Sequence, residues 1–506
     1  MPTRGIPRLK PIGNSANFKM GNAYFGQRKY AEALKEFEAV VQKSPKMGPA
    51  HMRIGDCHFA EKRFDQAEQS YLQAVKLTPN MASGHFKLGK LYASQGKATE
   101  AFASYRDALK LDPKMAVVHF KVGSLHLEQA EYPEALKAFE TALSLNPQLL
   151  YAHVKMGEVH MQQDDDATAL KKFEEALQYD PKLGIAHLKI GEVYAKQGQT
   201  SEALEKYRKA LAVDPKLTFA HIKIGDIQLE QGAAEEAVAQ YRKAAAKPSR
   251  PELGFLANLK LGNALLKLKR APEAVSALEA AVGFKADVAP VHVKLADALE
   301  ALDRHEEALK AYDVAIRLSP ESAPLHVRRG NALVALKRTK EALEAFAEAL
   351  RLDETLAPAH AKIGQVHLEE KRFDEALTAF KAAVERQKKQ PAAHVGIADI
   401  HFERKEYDEA LAAYRTAVRY DPKNAGCHVR LGDLFLLKRQ LGEARAEYQA
   451  AVLLDAANAA AHLGLGRAHL EEEQRAEAVA EFRTALELDP HNAAAKAALG
   501  QLKESL

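Results

Sequence analysis

The sequence predicts an all-α fold in which short helical hairpins stack into a solenoid. Glycine recurs every 34 residues from Gly21 to Gly225, and after a three-residue excess the same register continues from Gly262 to Gly500, with Ala in place of Gly in two units. When each unit is numbered from 1 to 34, Ala stands at position 20 in all fourteen units and at position 27 in thirteen. Repetition at this period indicates one supersecondary unit that buries its apolar face only against its neighbours.

Each unit is predicted to hold two helices and two turns. Small residues at positions 8, 20 and 27 let two helix axes approach to about 8 Å. Position 24 is aromatic in thirteen units, and only Leu278 departs from this pattern. The aromatic ring supplies the large apolar body that fills the space beside the small residues. Pro at position 32 in nine units ends the second helix, because proline cannot continue it.

Four segments follow one another along the chain. A basic N-terminal segment (1–13) precedes the repeats. Seven repeats occupy 14–254 and seven more occupy 255–492. The tail (493–506) is predicted to form a capping helix that covers the apolar face of the last repeat.

The joint between the seventh and eighth repeats departs from the regular pattern. The stretch AAAKPSRPELG (244–254) holds Pro248, Pro251 and the three extra residues. The step from one repeat to the next must therefore change here. A hinge between two halves and a surface-loop insertion without a mechanical role are both compatible with this sequence.

The repeat pattern resembles the tetratricopeptide repeat family. The stretch AHLKIGEVYAKQGQTSEALEKYRKALAVDP (186–215) is similar to the consensus of that family, and the same positions recur across residues 14–492. The resemblance implies a right-handed superhelix whose first helices line a concave groove. It also implies binding of peptides or protein surfaces, with no cofactor.

Composition excludes several classes of function. Lys+Arg 72 against Asp+Glu 68 leaves a net charge of +4, which is too small to drive nonspecific binding to nucleic acid or acidic membranes. Cys57 and Cys427 lie far apart and fit neither a disulfide framework nor a metal ribbon, which favours a reducing compartment. No secretory signal and no run of about eighteen apolar residues is present. We expect a cytoplasmic protein.

No motif in the sequence predicts catalysis, a metal or a cofactor. Eighteen of the 20 histidines occupy positions 4 and 11 of the repeat, which indicates packing rather than metal binding. We expect the pKa of these desolvated imidazoles to lie below the ordinary value of about 6.5. Since the repeats account for almost every residue, the chain is predicted not to be an enzyme.

Position 6 is basic in twelve units, and packing does not explain this ladder. Like charges about 10 Å apart repel by about 0.4 kcal/mol in water, so some compensation is expected. Six acids at position 9 are predicted to form i,i+3 pairs with the base of their own helix, as in Arg53/Asp56 and Lys155/Glu158. The bases without such an acid are Lys19, Lys87, Lys121, Lys260, Arg328 and Lys362.

By the geometry of the family, position 6 faces the groove. Asn22, Asn263 and Asn331 stand at position 9 beside three of these bases. The predicted partner-binding groove therefore comprises Lys19, Asn22, Arg53, Lys87, Lys90, Lys121, Lys155, Lys189, Lys223, Lys260, Asn263, Lys294, Arg328, Asn331, Lys362 and Arg430.

These observations favour a scaffold or adaptor that binds an extended, acidic polypeptide. Two alternatives stay open. One is an architectural protein that self-assembles through its ends and convex face. The other is a nucleic-acid-binding repeat array, which is weakened by mostly aliphatic residues at position 5 and by the acids that interrupt the basic track.

Overall fold

A computed structural model describes residues 13–504, and within them all regular secondary structure is helical. The all-α prediction is confirmed. The predicted basic segment (1–13) lies outside the described residues except for Gly13, where the first helix begins. No helix among residues 13–504 is both long and apolar enough to cross a lipid bilayer.

The fourteen repeats appear as fourteen pairs of helices followed by one further helix. The first seven pairs are α1 (Gly13–Gly26), α2 (Tyr30–Lys43), α3 (Gly48–Ala60), α4 (Phe64–Leu77), α5 (Ala82–Ser94), α6 (Ala98–Leu111), α7 (Ala116–Glu128), α8 (Tyr132–Leu145), α9 (Leu150–Gln162), α10 (Asp166–Tyr179), α11 (Gly184–Lys196), α12 (Thr200–Val213), α13 (Thr218–Glu230) and α14 (Ala234–Ala246). The rest are α15 (Pro251–Lys267), α16 (Ala271–Phe284), α17 (Ala289–Glu300), α18 (His305–Leu318), α19 (Ala323–Ala335), α20 (Thr339–Leu352), α21 (Ala357–Glu369), α22 (Phe373–Arg386), α23 (Pro391–Glu403), α24 (Tyr407–Tyr420), α25 (Ala425–Leu437), α26 (Leu441–Leu454), α27 (Ala459–Glu471), α28 (Arg475–Leu488) and α29 (Ala493–Glu504).

The small residue at position 8 makes room for the aromatic ring at position 24. A Cβ added to Gly55 would lie 2.6 Å from the ring of Tyr71, well inside van der Waals contact. Tyr71 is almost completely buried. Leu278 takes the place of the ring in the eighth repeat, and a Cβ at Gly262 would lie 2.6 Å from its Cγ. The predicted packing of the two positions is confirmed.

The turn inside every repeat holds one residue, at position 15, in the left-handed conformation. Its φ ranges from 56° at Asp303 to 82° at Gly232. The N–H of the next residue donates to the carbonyl oxygen of position 11, as Lys29 does to Tyr24 at 3.0 Å. This bond satisfies a carbonyl group that the end of the first helix leaves without a helical partner.

The described residues divide into two compact units between Ser249 and Arg250. Helix α15 begins at Pro251 and has 17 residues, so the last residues of the joint lie inside a helix and not in a loop. Pro251 is tolerated there because the first residues of a helix need no N–H donor. The sequence-predicted boundary between 254 and 255 therefore falls within α15. Each unit is an α-solenoid of stacked hairpins.

The tail forms a helix that packs on the last repeat. Helix α29 contacts α28, and its Leu502 is buried beside Ala478 and Phe482. These two residues stand at positions 20 and 24, the small and aromatic positions of the fourteenth repeat. The tail therefore covers the apolar face of the fourteenth repeat.

Candidate functional site

The first helices of successive repeats contact one another and form a layer of their own. In the first unit α3 contacts α5, and α7, α9 and α11 contact in turn. A cavity of about 760 Å³ lies across α7, α9 and α11. It is lined from α7 by Lys121, Ser124 and Glu128, from α9 by Lys155, Glu158 and Gln162, and from α11 by Lys189 and Glu192. We call the surface formed by positions 6, 9 and 13 of the first helices the first-helix groove.

The second unit has a smaller cavity at the same surface. Arg328 and Asn331 of α19 line a space of about 420 Å³ together with Glu300 and Tyr312. Two of the predicted site residues thus share one cavity. The same repeat positions therefore contribute to cavities in both units.

Some bases at position 6 bond to position 9 of the preceding repeat, 31 residues earlier, namely Arg53, Lys87, Lys189 and Arg328. The Nε of Arg53 donates to Oδ1 of Asn22 at 2.8 Å. The ammonium groups of Lys87 and Lys189 lie 2.9 Å from Asp56 and 3.1 Å from Glu158 in the same way. Arg328 pairs likewise with Asp297. These bonds tie neighbouring first helices together.

The prediction that Lys87 and Arg328 are unpaired is wrong. The i,i+3 rule considers only position 9 of the same helix, whereas the carboxylate partner of each base comes from the preceding repeat. The expected i,i+3 pairs do form at Arg53/Asp56 (3.0 Å), Lys155/Glu158 (2.6 Å), Lys189/Glu192 (2.9 Å) and Lys294/Asp297 (3.9 Å).

Several other predicted site residues have different neighbours. The Arg430 guanidinium, expected beside Asp433, lies over the ring of Phe402 at 5.5 Å, and the Lys223 ammonium lies over Phe219 at 5.0 Å. Lys362 donates to the Gln365 side chain at 3.4 Å, and Lys260 also has an interaction partner. Lys19 is exposed. The Oδ1 of Asn263 is buried without a hydrogen-bond partner among residues 13–504.

An aspartate at position 9 also accepts a bond from the tyrosine at position 24 of its own repeat. This coupling is not among the features predicted from the sequence, although every Asp at position 9 occurs with a Tyr at position 24. The five pairs are Tyr71 with Asp56 (2.9 Å), Tyr241 with Asp226 (2.7 Å), Tyr312 with Asp297 (3.2 Å), Tyr448 with Asp433 (2.7 Å), and Tyr414 with Asp399.

Asp56 shows what this arrangement achieves. Its side chain is 3% exposed and accepts from Tyr71, Arg53 and Lys87. A buried carboxylate is tolerated when it is paired and hydrogen-bonded in this way. Burial raises the pKa of Asp399 and of Asp433, even though a tyrosine donates to each. An internal network therefore includes six of the twelve bases of the ladder, which form ion pairs with position 9: Arg53, Lys87, Lys155, Lys189, Lys294 and Arg328.

The third repeat interrupts that network, because its position 9 is Lys90. The Lys90 ammonium lies over the ring of Phe59 at 4.9 Å, and Lys121 lies over its own neighbour Phe120 at 5.6 Å. Burial lowers the pKa of Lys90, and the charges of Lys87 and Lys121 lower it further. Among the described residues, Asp56 is the only carboxylate within ion-pair distance of any of these three lysines.

The histidines at position 4 fasten the turn that precedes each first helix. In ten repeats Nε2 lies 2.8 to 3.4 Å from a backbone carbonyl oxygen six residues earlier, as in His51 with Pro45 and His292 with Ala286. The nitrogen on the other side of the ring also has an acceptor in two cases, His428 with Glu447 and His462 with Glu481, both at 2.6 Å.

The expected lowering of the pKa is found for four individual histidines. Burial lowers the pKa of His58, His153, His187 and His367. Within residues 13–504 no three His, Cys, Asp or Glu side chains are grouped so that they could hold a metal ion.

Comparison with known proteins finds repeat models along most of the chain. Models described as tetratricopeptide repeat match residues 18–82, 63–116, 120–184, 222–290, 293–357, 361–425, 401–462 and 459–492, and a TPR repeat model matches 191–232. No curated protein has a significant sequence match to the chain.

Solved structures with similar folds have low TM-scores to the chain. MamA is 29% identical over 32% of this chain and 95% of its own, with a TM-score of 0.30. YrrB, described as a TPR protein with an unusual peptide-binding site, is 21% identical over 38% of this chain and 99% of its own, with a TM-score of 0.33. Yeast Tom70 is 15% identical over 97% of this chain and 95% of its own, with a TM-score of 0.39.

Proposed function

The chain belongs to the tetratricopeptide repeat family, and from this premise we propose that it is a non-catalytic scaffold whose first-helix groove binds an extended, acidic polypeptide. Protein binding is supported by the repeat array itself, in which first helices of neighbouring repeats contact one another within each unit, as α7, α9 and α11 do. The preference for acidic segments is supported by the lysines that the internal network does not neutralise.

The excess positive charge at the third and fourth repeats carries the proposal. Lys87, Lys90 and Lys121 bring three positive charges to the groove, whereas Glu128 is the one acid at the groove positions of these two repeats among the described residues, and Asp56 of the second repeat pairs with Lys87. The next stretch of groove is balanced, because Lys155 and Lys189 are paired with Glu158 and Glu192. We therefore expect an acidic segment to bind first at the third and fourth repeats and to extend from there.

The spacing of the helices favours an extended ligand. Packed helix axes lie about 10 Å apart, and an extended chain advances about 3.3 Å per residue. Each repeat thus spans about three residues of a bound peptide. The cavity across α7, α9 and α11 offers equivalent positions in three successive repeats to such a chain.

Binding of labelled deca-glutamate, with deca-glutamine as the neutral control, tests the proposal. The double variant Lys90→Glu/Lys121→Glu is expected to bind deca-glutamate at least about tenfold more weakly, because two attractions become repulsions. The matched control, Lys76→Glu/Lys137→Glu, changes two exposed lysines on the second helices α4 and α8 and should stay within about threefold of the unchanged protein.

Two outcomes would contradict the proposal. Equal binding of the two peptides by the unchanged protein would remove the acidic preference. Equal losses in both double variants would show that net charge, and not the groove, governs binding. Tighter, salt-dependent binding of an oligonucleotide would favour the nucleic-acid alternative, and a molar mass that rises with concentration would favour self-assembly.

A further inference from the structure

The third repeat has a buried tyrosine hydroxyl that lacks its usual acceptor. Seven repeats have Tyr at position 24, and in five of them the hydroxyl donates to the Asp at position 9. The hydroxyls of Tyr105 and Tyr207 are buried without any hydrogen-bond partner among residues 13–504. Leaving such a group buried without a partner destabilises the folded chain.

The repeats of Tyr105 and Tyr207 differ in the charge of the residue at position 9. In the sixth repeat, Glu192 stands at position 9 and pairs with Lys189, so a carboxylate is present although Tyr207 does not bond to it. In the third repeat position 9 is Lys90, so the carboxylate itself is missing.

The second repeat has an aspartate at position 9, and its neighbours show which groups would donate to a carboxylate at the same position of the third repeat. Asp56 accepts from the tyrosine of its own repeat (Tyr71, 2.9 Å) and from the bases at position 6 of its own and the next repeat (Arg53, 3.0 Å; Lys87, 2.9 Å). One repeat further on, the equivalent groups are the Tyr105 hydroxyl, Lys87 and Lys121. Three donors thus occupy the equivalent repeat positions, and the residue at position 9 of the third repeat offers them no acceptor.

The other charged groups near this position do not fill it. Burial raises the pKa of Tyr105, and the charge of Glu128 on α7 adds to that effect, yet Glu128 forms no hydrogen bond with the hydroxyl. The ammonium of Lys90 is displaced one repeat back, over Phe59.

We propose that a carboxylate side chain of the bound polypeptide takes the place of the missing aspartate at the third repeat, accepting from the Tyr105 hydroxyl, Lys87 and Lys121. This subsite rests on the proposed function of the groove. Because the hydroxyl is buried in the free protein, binding includes a movement of the side chains that cover it.

The pair Tyr105→Phe and Tyr71→Phe tests the subsite with matched chemistry. Tyr105→Phe removes a hydroxyl without a partner, so its melting temperature should equal or exceed that of the unchanged protein, while affinity for deca-glutamate should fall about fivefold. Tyr71→Phe removes a bond to buried Asp56, so it should melt lower and keep its affinity within about twofold.

The variant Lys90→Asp provides a second measurement. The new aspartate should bond Tyr105, Lys87 and Lys121 as Asp56 bonds its own neighbours, which raises the melting temperature and weakens deca-glutamate binding at least about tenfold. In this background Tyr105→Phe should lower the melting temperature and no longer change the affinity, because the internal acid already occupies the subsite.

These measurements distinguish an error in the proposed subsite from an error in the proposed function of the groove. If the unchanged protein prefers deca-glutamate to deca-glutamine but Tyr105→Phe binds it equally well, the subsite is wrong and the proposed function stands. If the unchanged protein shows no such preference, both are wrong. A Lys90→Asp variant that melts lower than the unchanged protein would also overturn the subsite.

Discussion

At the scale of single residues, the residue at position 9 contributes to what the base of the next repeat does. An acid at position 9 holds that base between repeats at Lys87 and Lys189. An acid alone is not sufficient, because Lys223 follows Glu192 and lies over Phe219 instead. After Lys90, the base of the fourth repeat, Lys121, has no carboxylate partner among the described residues.

Replacing Asp56 should be costly. Asp56→Ala leaves Arg53, Lys87 and the Tyr71 hydroxyl without their shared acceptor, so we expect the free energy of unfolding to fall by about 2 to 4 kcal/mol. Urea denaturation measures the change. Glu140→Ala, at an exposed acid of helix α8, should change it by less than about 0.5 kcal/mol. A similar small effect at Asp56 would contradict the network.

The same network changes what reversal of Lys87 would do. The sequence predicts that Lys87 has no acidic partner, and on that basis its reversal would cost little stability. In the structure a glutamate there would face the buried carboxylate of Asp56, which costs stability through repulsion in a partly desolvated site. Variants that test binding therefore leave Lys87 in place and change Lys90 and Lys121.

At the scale of elements, the turns before and inside each hairpin fix how the helices pack. The left-handed residue at position 15 ends the first helix, and only three of the fourteen are glycine. The histidine at position 4 bonds the turn before that helix, as His187 does to the carbonyl oxygen of Pro181 at 3.1 Å. The histidine at position 4 thus contributes both a local hydrogen bond and packing contacts.

The four histidines with lowered pKa predict that stability falls on acidification. Their neutral form is favoured in the folded chain, so the unfolded chain binds protons more readily. Their contribution is fully present above the unfolded pKa of about 6.5 and is lost as pH falls below it toward the lower folded values. Melting temperature measured from pH 8 to pH 5 at constant ionic strength should therefore decrease.

A variant with His58, His153, His187 and His367 all replaced by Gln should show a flatter profile between those pH values. Glutamine does not titrate in this range, so the difference between the two profiles isolates these four side chains. Identical profiles for the two proteins would show that other groups govern the acid response.

At the scale of the whole molecule, the chain is a series of similar units with one irregular joint. Contacts in a repeat array run mainly between neighbours, so stability is nearly a sum of unit and interface terms. The two compact units meet in sequence at Ser249 and Arg250, between the end of α14 at Ala246 and the start of α15 at Pro251. Pro248 and Pro251 stand on either side of this division.

Limited proteolysis should cut the chain first in the segment 247–250, because the regular 34-residue step is interrupted there. Two fragments of nearly equal size are expected. Subtilisin is the suitable protease, since Lys247 and Arg250 both precede proline and trypsin cleaves such bonds poorly. Early cuts spread evenly over the turns of other repeats would contradict a weak joint.

The sequence by itself determined the repeat, the hairpin and the role of its small and aromatic positions, because these contacts join residues of one 34-residue unit. Gly55 against Tyr71 is such a contact, and its spacing is visible in the sequence. The ladder of bases was equally visible. Only the tertiary structure decided which of those bases are paired with a carboxylate of the preceding repeat, as Lys87 is with Asp56. Such partners lie one repeat away along the chain. The tertiary structure also decided that the residues following Pro251 extend a helix, since a longer helix keeps its backbone hydrogen-bonded where a loop would not.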